Sequence, residues 1–263
     1  MLGTSSTPYD LRFRFLDIPV RIHPLFWLIM AVLGWRDNDL ASVLIWVGCA
    51  LVSILVHEYG HGLMAKHFRG SPSIVLYGLG GLCYSQGERT AGQRLAVLLA
   101  GPGAGFLLCA AVLALASLTL SVSGGEHLAV VQAIIGLGGN HDAILGALSK
   151  FNSSRALQIY EDLIFINVVW GLVNLLPIYP LDGGQATQVL LSQVDRRSGV
   201  RWGHIVSLIT AGILAVLAAS TMRGNYYPTI MFGLLAVMNY QILQSLHHAQ
   251  SFGVYHEDDW WRS

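Results

Sequence analysis

Charge is what this sequence has least of: 11% of its residues are Asp, Glu, Lys or Arg, against roughly 25% in soluble domains. A chain so poor in charge cannot cover a water-facing surface, and its mean hydropathy of +0.55 points to an integral membrane protein. Fifteen basic residues balance fifteen acidic ones with no run of either sign, which argues against a nucleic-acid partner. Cysteine is sparse too. Cys49, Cys83 and Cys109 are widely spaced and two of them fall in apolar stretches, so neither a disulfide framework nor a thiolate metal site is expected. No repeat, low-complexity tract or cleavable signal-peptide layout is visible, and the first apolar segment is expected to stay as an anchor.

What the chain has is long apolar stretches. Hydropathy marks six candidate spans, at about 23–35, 40–67, 92–120, 157–178, 200–221 and 226–247. The expected fold class is therefore an all-α polytopic membrane protein with about six transmembrane helices. The first span is short, and either tilts or is extended by Ile18 to Ile22. Six spans put both termini on one side. Arg12, Arg14, Arg21, Lys66, Arg69, Arg89, Arg94, Arg196, Arg197, Arg201 and Arg262 share that side, against Arg36, Lys150, Arg155 and Arg223 on the other. The positive-inside rule then places both termini in the cytoplasm.

Within the second span lies His57-Glu58-Tyr59-Gly60-His61, an HExxH motif. Leu40 to Val56, before it, holds no charge over seventeen residues, or roughly 25 Å of helix in a bilayer core of about 30 Å. Ionisable groups are costly at that depth and rarely lack a role. Residues four apart share a helix face, so His57 and His61 can ligate one cation, while Glu58 stands one position round as a general base for metal-bound water. The alternative is a pair of helix histidines bonded to neighbouring groups.

Two imidazoles are one ligand short of a catalytic zinc site. The best third candidate is Asp182, in Asn174-Leu175-Leu176-Pro177-Ile178-Tyr179-Pro180-Leu181-Asp182-Gly183-Gly184 at the cytoplasmic end of the fourth span. Pro177 and Pro180 break the helix, and irregular backbone at that depth must line protein or water. Gly183 and Gly184 let the chain turn sharply behind the carboxylate. A proline-glycine turn with a solvated Asp is the plainer alternative. Two imidazoles and a carboxylate would also hold cobalt or iron; zinc is the first expectation.

Two connections stand out. Residues 70–90 mix β-branched and aromatic residues with Gly78, Gly80 and Gly81, and suggest short strands bending beside the metal-bearing helix as a small re-entrant β element. An exposed strand edge there would hold an extended peptide, making the three glycines substrate-binding candidates. A glycine-rich loop without strands fits the same residues. Residues 121–154 form a longer outer loop whose apolar patches are expected to pack on the bundle.

HExxH in one span and N-x-x-P-x-x-P-L-D-G-G after another resemble the site-2 protease family of intramembrane zinc metalloproteases, peptidase family M50. The resemblance covers a three-span core from about 40 to 185. It implies one Zn²⁺ held by His57, His61 and Asp182, Glu58 as general base, and Asn174 as a polar group holding substrate or the oxyanion. It further implies hydrolysis of peptide bonds within or next to transmembrane segments of membrane-anchored substrates. Ala100 to Gly105 resembles the family's small-residue Gly-Pro segment, with Gly105 where many relatives carry Asn. Gln185 stands where a basic residue is common. Asn167, seven residues before Asn174, is expected to make an interhelical hydrogen bond.

Residues 1–263 read as one integral membrane protease domain, with flanking spans at about 23–35, 200–221 and 226–247 and little length left for a PDZ, CBS or folded regulatory domain. The partners expected are transmembrane substrates and the lipid bilayer, with a prokaryotic cell (inner) membrane as the location and Trp260 and Trp261 at the headgroup level. A non-proteolytic zinc-binding scaffold or transporter is the alternative function. It would want ionisable groups along a path across the bilayer, whereas here they gather at one level.

Overall fold

The structure, a computed structural model, describes residues 6–35, 39–78, 80–87, 90–196, 198–221 and 226–251, and the side chains only up to 248 in the last segment. Arg36, Arg89, Arg197, Arg223, Arg262, Trp260 and Trp261, named above, lie outside the described residues. The protein is mainly helical. Among the described residues, five helices are long and apolar enough to cross a membrane: Leu40–His67, Ala91–Leu120, Ser154–Asn174, Gly199–Thr221 and Tyr227–His248. The chain divides into two compact units, residues 1–88 with 99–172, and 89–98 with 173–263.

The first unit holds a four-stranded sheet in the order β1 (Leu11–Phe15), β2 (Ile18–Ile22), β3 (Ser71–Tyr77), β4 (Gly80–Gln86). The two hairpins are antiparallel, and β2 runs parallel to β3 through Val20↔Ile74 and Ile22↔Leu76. Ile18–Ile22 is thus a strand and does not extend the first span. Its residues alternate between buried Ile18, Val20 and Ile22 and the outward Pro19 and Arg21, a period of two that a helix cannot serve. Pro19 pairs only with Arg14, ahead of the parallel register, where its missing N–H is not needed. The first apolar segment is reduced to α1 (Pro24–Leu33), ten residues or about 15 Å, short of a full crossing. Pro24 at its first turn and the His23 ring, which accepts from the Leu25 N–H, start it there.

Helix α2 (Leu40–His67) is capped by Asp39, whose carboxylate accepts from the Ala41 N–H and the Ser42 hydroxyl. It packs on the sheet through Trp46, Cys49, Ala50, Ile54 and Tyr59, against Ile18, Ile22, Phe26, Ile74 and Leu76. Helix α3 (Ala91–Leu120) carries Pro102 within a membrane-length run, where neighbouring helices can satisfy the freed carbonyl. Helices α4 (Gly124–Ile134) and α5 (His141–Ser149) fill the 121–154 connection. They bury Val130 and Ala147 against Cys109, Ala116, Tyr160 and Ile164, so the loop does pack on the bundle. Helix α6 (Ser154–Phe165) passes through a π turn (Ile166–Trp170) into α7 (Gly171–Asn174).

The second unit contains α8 (Asp182–Val194), α9 (Gly199–Thr221) and α10 (Tyr227–Ser251), with Ile178, Ala211 and Phe232 at its centre.

The α4 start offers a test of helices α4 and α5. Ser123 and Glu126 form a reciprocal capping box, and Lys150 donates to both the Glu126 carboxylate and the Ser121 carbonyl. The Lys150 bond, and then those from Ser123, hold the Glu126 carboxyl at about 2, below the usual 4.5. Its folded value is depressed, so its contribution is complete above the unfolded value and is lost as pH falls from about 4.5 toward 2. Amide exchange in 124–150 should therefore speed up across that window, and much less so in Glu126→Gln.

Candidate active site

The HExxH turn is buried within α2. His57, Glu58 and His61 are 9%, 5% and 6% exposed. Four-residue spacing brings the two imidazoles onto one face, their ring centroids 4.8 Å apart and their planes at 78°. Their Nε2 atoms lie 3.1 Å apart. A tetrahedral ion with bonds of about 2.0–2.1 Å to nitrogen keeps two such ligands roughly 3.3 Å apart, close to the separation of this pair.

Missing side chains make this crowding possible. A Cβ on Gly60 would strike the Ala100 carbonyl and the Ala104 methyl, so α2 and α3 cross in backbone contact at the motif itself. A Cβ on Gly101 would land on the His61 ring, at Nε2, and one on Gly81 would land on the Glu58 side chain. The Gly-Pro segment therefore does more than let helices approach: Gly101 makes room for the histidine. Sequence reasoning missed that role, and a glycine beside a proline inside an apolar span was the signal for it.

The glycines of the β3–β4 hairpin divide by role. Gly78 has φ +56° and forms the turn, where a side chain would be strained. Gly80 has nothing within 4 Å of where a Cβ would sit. Gly81 sits opposite Leu76 in the β3–β4 register, next to Glu58. Strand β4 is the outer strand of the sheet, with Leu82 and Tyr84 exposed.

Asn167, buried at the π turn, donates to the Ser53 hydroxyl at 2.9 Å and to the Leu163 carbonyl at 2.8 Å. This is the interhelical bond expected of it, linking the α6–α7 helix to α2. The Asn167 Oδ1 stands 3.3 Å from where a Gly105 Cβ would be, so the space left by that glycine receives Asn167.

In the second unit Asn174 closes α7 and is half-buried. Asp182 is the first residue of α8, also half-buried, where a helix N-terminus favours negative charge. Gly183 and Gly184 are in the first helical turn and have no left-handed φ. Glycine is required there for close approach: a Cβ on Gly183 would meet the Leu175 and Leu176 carbonyls, and one on Gly184 the Ile178–Tyr179 peptide. Gln185 donates to the Pro180 carbonyl at 3.0 Å, its task in this turn.

Residues 46–219 match the family model of peptidase family M50. The chain belongs to that family. It is 25% identical over 243 residues to a zinc metalloprotease of Methanocaldococcus jannaschii, a match covering 90% of this chain and 58% of that protein. It is 27% identical over 237 residues to the stage IV sporulation protein FB of Bacillus subtilis, covering 89% and 69% respectively. The chain thus spans under two thirds of the first relative's length. Among solved structures, the site-2 protease from M. jannaschii shares the fold at a TM-score of 0.54 and 19% identity, over 89% of this chain and 95% of that one. Five membrane-length helices among the described residues of an M50 chain make this an integral, multi-pass membrane protein.

The glycines carry the prediction. Gly81→Ala, whose added Cβ would overlap the buried Glu58 side chain, should lower proteolytic activity by about tenfold or more, while Gly80→Ala, with open space at its position, leaves it near wild type. Gly101→Ala should lower bound zinc, measured by elemental analysis of the purified protein.

Proposed function

We propose that this M50 chain is a zinc-dependent intramembrane endopeptidase that cuts membrane-anchored substrates within or next to their transmembrane segments. The observation that carries this reading is the buried His57–His61 pair with Glu58 beside it in an apolar helix. Asp182 is the proposed third ligand, since each of the three residues offers one donor atom and together they make the two-nitrogen, one-carboxylate set that catalytic zinc uses. When bound, the ion supplies a Lewis acid for the scissile carbonyl and a lowered pKa for water. Glu58 takes the proton of the attacking water and returns it to the leaving amide nitrogen as the C–N bond breaks. Asn174 is assigned to hold substrate or the oxyanion through its side-chain amide.

A helical substrate has every amide bonded within itself, so cleavage requires local extension. The outer edge of β4 is the proposed site for that extended segment. The two units are proposed to act as one protease domain in a prokaryotic cell membrane, with the His61 end of α2 toward the cytoplasm. Lys66 and Arg69, which follow the motif, support that orientation.

Glu58→Gln should abolish cleavage of a model transmembrane substrate in proteoliposomes while leaving bound zinc at one per chain. Undiminished cleavage removes Glu58 from the mechanism. Helix-breaking residues in the substrate span should raise its cleavage relative to a poly-Leu span; equal rates would overturn the extended-substrate account.

A further inference from the structure

Helices α9 and α10 lie outside the three-span core, yet each presents buried polar side chains from an apolar span: His204 at 4% exposed, Ser207 at 0% and Asn239 at 0%. Polar groups in such helices usually bond helix to helix. Here the bonds converge on one residue of the connection before α8. The Tyr179 N–H donates to the Ser207 hydroxyl at 2.9 Å, and the Tyr179 carbonyl accepts from the Asn239 amide at 2.7 Å. The Tyr179 ring packs edge-on to His204, centroids 4.9 Å apart.

The network has one self-consistent set of donors. Asn239 spends its amide hydrogens on Tyr179 and the Leu235 carbonyl, so its Oδ1 must accept, at 2.8 Å, from His204 Nδ1. His204 Nε2 is then the acceptor for the Gln188 amide, 3.1 Å away on α8. Ser207 passes its own hydrogen to the Gly203 carbonyl. Each group is used, and an apolar replacement would leave a partner unpaired in a buried place.

We propose that Ser207, Asn239 and His204 are positioning residues for Asp182, because they fix Tyr179 three residues before it and Gln188 six residues after it. The chain between is short and stiff. Pro180 has a fixed φ, and the Leu181 N–H closes back on the Ile178 carbonyl at 2.8 Å. Any shift of Tyr179 is therefore passed to the carboxylate. A helix-to-helix staple would join α9 to α10 and stop there; this one ends on the backbone that carries the proposed ligand. The inference rests on Asp182 being a metal ligand.

The test uses the full-length protein in detergent with zinc, and with Co²⁺ as a spectroscopic probe. Ser207→Ala, which removes one hydroxyl, and Asn239→Leu, which removes the whole amide, should each weaken zinc about tenfold or more in chelator competition. Both should alter the visible ligand-field spectrum of the Co²⁺ form and lower kcat more than they raise KM. Asp182→Asn is run beside them. If it loses metal affinity while both network variants keep wild-type affinity and Co²⁺ spectrum, the positioning role is overturned and the ligand assignment stands. If Asp182→Asn itself binds zinc as wild type does, the ligand assignment fails and the inference falls with it. Should Asn239→Leu fail to fold, Ser207→Ala decides alone.

Discussion

The arrangement of α2 and its neighbours follows from one constraint: two imidazoles and the Glu58 carboxylate are buried within an apolar helix, with the imidazole nitrogens brought together on one face. Such groups cost free energy wherever they are not engaged. The surrounding backbone therefore closes on them with no side chains in between. Gly60 meets Ala100, Gly101 meets His61, and Gly81 meets Glu58. At Gly101 and Gly81 a larger residue would displace the His61 ring and the Glu58 side chain directly. The sheet serves the same end, since β3 and β4 bring Gly81 to Glu58 and pack Ile74 and Leu76 beneath α2.

Membrane depth made much of this legible from the sequence. In an uncharged span, the paired histidines and Glu58 had few plain explanations, and the structure places His57 and His61 with their Nε2 atoms at zinc-binding separation. The β3–β4 hairpin was visible as β-branched residues bounded by glycine. The β1–β2 hairpin was not: five residues of alternation, Ile18, Val20 and Ile22 against Pro19 and Arg21, run straight into the apolar first segment and read as its extension. The strand partner that decides the matter, β3, lies about fifty residues away, as the Val20↔Ile74 pairing shows, and local pattern carries no trace of it.

Glycine was the other limit. Hydropathy and motif spacing treat Gly80 and Gly81 alike, but one faces open space and the other a catalytic candidate. Gly183 and Gly184 read as a sharp turn and proved to be points of backbone contact inside a helix start. His204 and Asn239 went unread because single polar residues in apolar spans carry no motif, and their meaning appears only when both are found on Tyr179. Polar side chains of α9 and α10 thus bear on a turn of the core, which gives the flanking spans a task beyond anchorage.

The metal centre proposed for this chain is one ion held by two imidazoles and the Asp182 carboxylate. X-ray absorption at the zinc edge of the purified protein tests it most directly. The expected result is a four-coordinate shell of nitrogen and oxygen at about 2.0–2.2 Å, with two imidazoles resolved by multiple scattering and an altered shell in Asp182→Asn. A sulfur ligand, a single imidazole, or a shell unchanged by Asp182→Asn would contradict it.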